Sequence, residues 1–186
     1  LLFGDQLQWA KESLERDVNT RQAIAFLNQP KYQFEGNKDF VCTMYLNFWI
    51  RDNKLNMKVQ MRSNDIFYGL TFDAPFFGFV HQHMVLWLQD TYPGLELGTY
   101  HHLADNIHYY EQHFELSSKI IKEMRYGTPA TEITMNLKEP MFVLNKGMME
   151  LTDLGAEYIS EVNNIVSRED SKMKDYEELL KKYLLD

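Results

Sequence analysis

The 186-residue chain has a single cysteine, Cys42. An intrachain disulfide is therefore excluded, and a reducing compartment is the natural assignment. Phosphate-cradling glycine loops are also missing: neither GxGxxG nor GxxxxGK[ST] occurs, so an anionic ligand would have to meet arginine directly. Cations are scarce, 19 Lys and Arg against 27 Asp and Glu, for a net charge of -8. That balance argues against direct binding to nucleic acid, where clustered cations release the counterions of a polyanion. No apolar run approaches the roughly 18 residues that span a bilayer, so no membrane segment is expected. The opening LLFGDQLQWAKE has no methionine, basic n-region or cleavage pattern, and nothing in it reads as a targeting signal.

What is present is apolar and aromatic: 45% of the chain is hydrophobic and 14% of the chain is aromatic, enough for one domain with one core. Residues 5–16 place Leu7, Ala10 and Leu14 at helical spacing, which predicts a short amphipathic helix. RQAIAFLN reads as a strand ended by Pro30. DFVCTMYLNFWI and KLNMKVQMRS alternate on either side of RDNK, which predicts a hairpin. With Asp52 and Asn53 as its loop, Cys42 falls opposite Ser63 with Arg62 beside it, unless a bulge shifts the register by one.

Asp73 then reads as the N-cap of an apolar helix with Pro75 in its first turn. LELGTYHHL reads as a buried strand, and DNIHYYEQHFELSSKIIKEMR as a helix capped by Asp105 or Asn106. TEITMNL reads as a strand, and two helical segments follow, the last being the charged DSKMKDYEELLKKYLLD.

Six histidines, at 81, 83, 101, 102, 108 and 113, crowd one third of the chain. A zincin-type pair needs both rings on one helix face, whereas His108 and His113 would lie about 140° apart on a helix. No metal site is expected. Cys42 alone reads either as a small buried hydrophobe or as a nucleophile. Arg62 and Ser63 offer a guanidinium fork and a hydroxyl suited to phosphate, although an arginine at a strand end is often only a surface cation.

Taken together and in order, DFVCT, MRSND, GLTFD and LGTYHHLADNIHYYEQHF resemble the catalytic half of the thymidylate synthase superfamily over roughly residues 17–116. The resemblance implies a thymidylate synthase-like α/β (α+β) fold, a mixed sheet with flanking helices that dimerises through the sheet face. It implies a catalytic part in residues 1–116 and a divergent, mostly helical part or extension in 117–186. It also implies a pyrimidine nucleoside monophosphate substrate, 5,10-methylenetetrahydrofolate as co-substrate and no metal. Cys42 corresponds to the nucleophile that adds to C6 of the base. Arg62 and Ser63 correspond to phosphate ligands, His108 and Tyr110 to the pair that bonds the ribose, and Asp65 to the aspartate near the pterin. Arg21 corresponds to an arginine that reaches the phosphate of the neighbouring subunit.

Departures from the family pattern are as telling. Gln22, Thr43 and Asn64 stand where an arginine, a histidine and a cysteine are usual. Asp73 stands in place of an asparagine that reads uracil. A protonated carboxyl can accept from the exocyclic amine of cytosine and donate to its N3, and the phage deoxycytidylate hydroxymethylases resemble this chain in carrying aspartate there. The expected activity is thus hydroxymethylation of (d)CMP at C5 in the cytoplasm, that of the host if the gene is a phage's. Thymidylate synthesis, dUMP hydroxymethylation and a non-catalytic nucleotide-binding homologue are the alternatives. The family's water-handling glutamate and phosphate-loop arginine fall ahead of Leu1, so either the chain lacks an N-terminal segment or it is a degenerate homologue.

Overall fold

The computed structural model describes residues 3–125, 137–146 and 148–167, together with positions 175, 178 and 182. Most of TEITMNL and all but three positions of the last expected helix lie outside the described residues.

Helix α1 (Phe3–Arg16) forms as its periodicity predicts, with Leu7, Ala10 and Leu14 fully buried. The strand expected over RQAIAFLN shortens to β1 (Ile24–Phe26). Strands β2 (Thr43–Arg51) and β3 (Lys54–Met61) form the hairpin. Asp52 and Asn53 supply its turn at φ 52° and 55°, the left-handed pair that a two-residue hairpin loop requires. Ile50 pairs with Leu55 and Arg51 with Lys54, as the spacing predicts.

Farther from the turn the register slips. Tyr45 pairs with Gln60 but Thr43 with Met61, which leaves Met44 as the extra residue of a bulge. Its carbonyl accepts instead from the backbone N–H groups of Leu27 and Asn28, at 3.0 and 3.2 Å. Arg62, not Ser63, therefore faces Cys42, and the Arg62 N–H donates to the Cys42 carbonyl at 2.9 Å.

After β3 come a two-residue strand β4 (Asn64–Asp65), a π-helical turn over Ile66–Leu70, and α2 (Thr71–Leu88). The helix begins ahead of Asp73, which is a first-turn residue and not the N-cap. The capping aspartate is Asp65, whose carboxylate accepts from Phe67 N and Tyr68 N at 3.2 and 3.0 Å. Pro75 lies inside α2 as its fifth residue and not in the first turn, where it has no N–H to offer the Thr71 carbonyl.

Helix α2 crosses over to β5 (Glu96–Ala104), parallel to β3. The sheet order is β1-β2-β3-β5, a mixed sheet. Alternating residues Leu46, Phe48 and Ile50 of β2 and Leu55, Met57, Val59 and Met61 of β3 are buried, with Phe77, Val80, Met84 and Leu88 of α2 completing the same core. Strand β5 is less covered than its apolar letters suggest: none of its residues is fully buried, and Tyr100, His102 and Ala104 alternate as a half-buried face.

The helix expected from Asp105 is replaced by β6 (Ile107–His108) and a 3-10 turn, and only then does α3 (Phe114–Arg125) start. Strand β6 runs parallel to β4, Asn64 opposite Ile107 and Asp65 opposite His108. This small ladder, which no apolar periodicity announces, brings two distant motifs together. A hairpin of β7 (Phe142–Asn145) and β8 (Met148–Leu151) and helix α4 (Asp153–Val166) follow. They are fastened to α2 through Trp87 Nε1, which donates to the Phe142 carbonyl at 2.7 Å.

Candidate active site

Cys42 sits just before β2 and is exposed, so it is not the buried hydrophobe that a strand cysteine commonly is. The loop that presents it is fixed by Arg62. Arg62 Nε donates to the Val41 carbonyl at 3.1 Å, Nη2 donates to the Phe40 carbonyl at 2.6 Å, and the guanidinium lies 4.9 Å from the centre of the Phe40 ring. Charge-assisted bonds of this kind hold geometry well. The cation expected for phosphate thus also anchors the nucleophile candidate's loop.

Next to Arg62, Ser63 Oγ lies 3.4 Å from His108 Nδ1, a contact made by the β4 and β6 ladder. The His108 ring meets Tyr110 edge-on with centroids 5.4 Å apart, and Tyr110 is exposed. Arg62, Ser63, His108 and Tyr110 thus join the wall beside Cys42. Arg21 does not: it lines an open cleft of about 820 Å³ between α1 and β1, together with Trp9, Glu12 and Gln22. Both oxygens of Asp65 are engaged by backbone N–H groups, so it shapes the turn that carries Tyr68 and leads into Phe72 of α2, residues that are 60% and 71% exposed.

Asp73 belongs to a cluster that sequence reading missed. Asn64 Nδ2 donates to Asp73 Oδ2 at 3.2 Å and lies 2.9 Å from His102 Nε2. On the far side of that ring, Tyr100 Oη lies 2.6 Å from His102 Nδ1. Tyr100 and His102 share a face of β5 because strand side chains alternate with period two, and that alternation was the available signal. Asn64 is 3% exposed and its Oδ1 has no hydrogen-bond partner. Gly69 makes room for it: a β-carbon there would lie 2.2 Å from Asn64 Oδ1.

Burial lifts the Asp73 pKa above the usual carboxylate range, against the opposing pull of His102 charge and of the Asn64 hydrogen bond. Burial depresses the His102 pKa, with the Asp73 carboxylate pulling the other way. Burial, reinforced by the Asp73 charge, raises that of Tyr100. Desolvation disfavours the charged form of all three groups, while Asp73 and His102 each favour the charged form of the other. Among the described residues no group of three His, Cys, Asp or Glu side chains is arranged to hold a metal ion, and no helix is long and apolar enough to cross a membrane.

Residues 3–174 match the thymidylate synthase family. A deoxyuridylate hydroxymethyltransferase of Bacillus phage SP01 is 30% identical over 92% of this chain and 46% of its own length. A deoxycytidylate 5-hydroxymethyltransferase of Enterobacteria phage T4 is 32% identical over 55% of this chain and 44% of its own. The chain spans about half the length of the curated relatives it matches. The family match covers most of its residues, α1 through α4 included, and the chain belongs to the thymidylate synthase family.

Proposed function

We propose that the protein hydroxymethylates a pyrimidine nucleoside monophosphate at C5, with 5,10-methylenetetrahydrofolate as co-substrate and a cytidylate, CMP or dCMP, as the nucleotide. The observation that carries the choice of base is Asp73. It is half-buried with its pKa raised by desolvation, and its protonated carboxyl donates to N3 of cytosine and accepts from the exocyclic amine. The two phage relatives support hydroxymethyl transfer by name but divide over the base.

In this reading the Cys42 thiolate adds to C6, making a carbon–sulfur bond and leaving C5 nucleophilic. The folate supplies the one-carbon unit when bound. The C5 proton leaves, and tetrahydrofolate departs as its bond to the transferred carbon breaks. Water adds to that carbon to supply the hydroxyl and gives up a proton. Loss of the thiolate then restores the aromatic ring and frees the enzyme. Arg62 and Ser63 hold the phosphate, His108 and Tyr110 the ribose, and Asp73 orients the base. The exposed rings of Tyr68, on the turn that Asp65 caps, and of Phe72, in the first turn of α2, offer flat faces that fit a pterin and an aryl group. Asp65 and these rings would hold the folate.

The protein in this proposal is a homodimer through the open face of the sheet, where Trp49 stacks on His101, and Arg21 reaches the partner's phosphate site. The separation of Arg21 from the other phosphate ligands within one chain supports that assignment. The proposed site residues all fall within 1–116. The family match runs on to residue 174, which supports reading 117–186 as part of the same domain.

The test follows tritium release from C5 of labelled CMP, dCMP and dUMP by the full-length protein with methylenetetrahydrofolate. Release from a cytidylate, lost by at least about 10³-fold in Cys42→Ser, is the expected result. Release from dUMP alone would transfer the assignment to the uridylate reading favoured by the SP01 relative. Nucleotide binding without release would leave a non-catalytic homologue.

A further inference from the structure

Asp73 ends a chain of side chains whose hydrogen bonds can all run in either direction. With the Asn64 amine turned to Asp73 Oδ2 and to His102 Nε2, at 3.2 and 2.9 Å, both of those atoms accept. The neutral imidazole then carries its proton on Nδ1, donating to Tyr100 Oη at 2.6 Å, and the proton of a neutral Asp73 is favoured on Oδ1, which leaves Oδ2 as the carbonyl oxygen and the better acceptor. In the reversed arrangement Tyr100 donates to Nδ1, His102 donates from Nε2 to the Asn64 oxygen, and Asp73 donates to that oxygen from Oδ2. An imidazole has one donor and one acceptor nitrogen when neutral, and an amide has one end of each kind. One reversal therefore forces the next from Tyr100 to Asn64 and shifts the favoured position of the Asp73 proton.

The distinction matters because a neutral carboxyl alone does not choose a base. Donating to N3 and accepting from an amine matches cytosine, whereas accepting from N3–H and donating to O4 matches uracil. The two differ only in which oxygen holds the proton. We infer that the Tyr100–His102–Asn64 chain fixes the proton-bearing oxygen of Asp73 and is thereby the specificity device of the base site. The three are positioning residues: they act through Asp73 and need not touch the nucleotide. The buried, unpartnered Asn64 Oδ1 and the missing side chain of Gly69 show an amide accommodated at this point despite its polar cost.

Among the described residues, the side-chain partners of Asp73 come from two strands. Strand β5 contributes His102 and Tyr100 as its electrostatic partners. Strand β4 contributes the neutral Asn64, while the neighbouring Asp65 carboxylate is engaged by Phe67 N and Tyr68 N.

This inference rests on Asp73 as the reader of the base, and its test separates the two. Dissociation constants of dCMP and dUMP are measured by calorimetry for the full-length protein and for Tyr100→Phe, His102→Asn, Asp73→Asn and the Tyr100→Phe/Asp73→Asn double variant. Tyr100→Phe, which keeps the ring and removes only the hydroxyl, should change the dCMP:dUMP ratio by about tenfold, the worth of one redirected hydrogen bond. His102→Asn should do the same, and Tyr100→Phe should add nothing once Asp73 is asparagine. The ¹⁵N shifts of His102 should report a different tautomer in Asp73→Asn, a readout that packing alone would not move.

A ratio within twofold of the parent in both Tyr100→Phe and His102→Asn, with Asp73→Asn altering it, would overturn the chain and leave Asp73 as reader. A ratio unchanged in Asp73→Asn as well would overturn both.

Discussion

Two half-related histidines show how differently one residue type is used at the two sides of α2. His83 is 1% exposed, accepts from Met141 N at 3.0 Å through Nε2, and so donates from Nδ1 to the Phe79 carbonyl at 2.9 Å. Both nitrogens are committed to backbone among the rings of Phe79, Trp87 and Phe142. His102 is half-buried and bonded on both nitrogens to side chains that can themselves reverse, Asn64 and Tyr100. The backbone cannot exchange donor for acceptor, so His83 is a fastener with one tautomer. The side-chain chain can, so His102 is a component with two. Burial depresses both pKa values, but only His102 has a carboxylate pulling back.

The sharpest way to break this contrast is to remove the fastener. His83→Ala should cost about 2–4 kcal/mol from the cavity and the orphaned Met141 N–H, seen in chemical denaturation. The dCMP:dUMP ratio should stay at the parent value. Gly69→Ala should act the other way round. Its β-carbon, 2.2 Å from Asn64 Oδ1, must displace the amide from Asp73, at about 1–3 kcal/mol. Its signature is a changed base preference in the same calorimetric titrations, which a purely structural glycine would not produce.

Smaller effects should appear in the pH dependence of stability, with opposite signs. A histidine with a depressed folded pKa stabilises fully above its unfolded value of about 6.5. Stability from His83 is therefore lost as pH falls from there through the folded pKa. Asp73, raised by burial, is the reverse case: its contribution is present below the unfolded carboxylate pKa and is lost as pH rises through the folded one. Denaturation curves from pH 4 to 8 should lose the acid-side slope in His83→Gln and the opposing trend in Asp73→Asn. An acid-side slope unchanged in His83→Gln would assign it elsewhere, His81 being the other buried, depressed imidazole.

Much of the scaffold could be read from periodicity. The apolar spacing of α1 and the alternation on either side of Asp52-Asn53 depend on neighbours in sequence, and both formed where expected. Errors gathered where non-local pairing overrides local pattern. The helix expected from Asp105 gave way to β6 because the backbone there pairs with β4, Asn64 N donating to the Asn106 carbonyl at 2.9 Å. Asp73 looked like a cap because aspartate before an apolar run usually is one. The preceding chain instead continues through a π-helical turn capped by Asp65 and leaves the Asp73 carboxyl to Asn64.

The sequence by itself determined the family, the helical and hairpin scaffold and the set of reactive residue types, since motif order and hydrophobic period are written along the chain. Tertiary structure alone decided which of them meet. A one-residue bulge at Met44 sets Arg62 and not Ser63 against Cys42. The crossover from β3 to β5 places Tyr100 and His102 beside Asn64 and Asp73. Hydrogen bonds between side chains act over about 3 Å, and no spacing along the sequence specifies separations between distant segments to that precision.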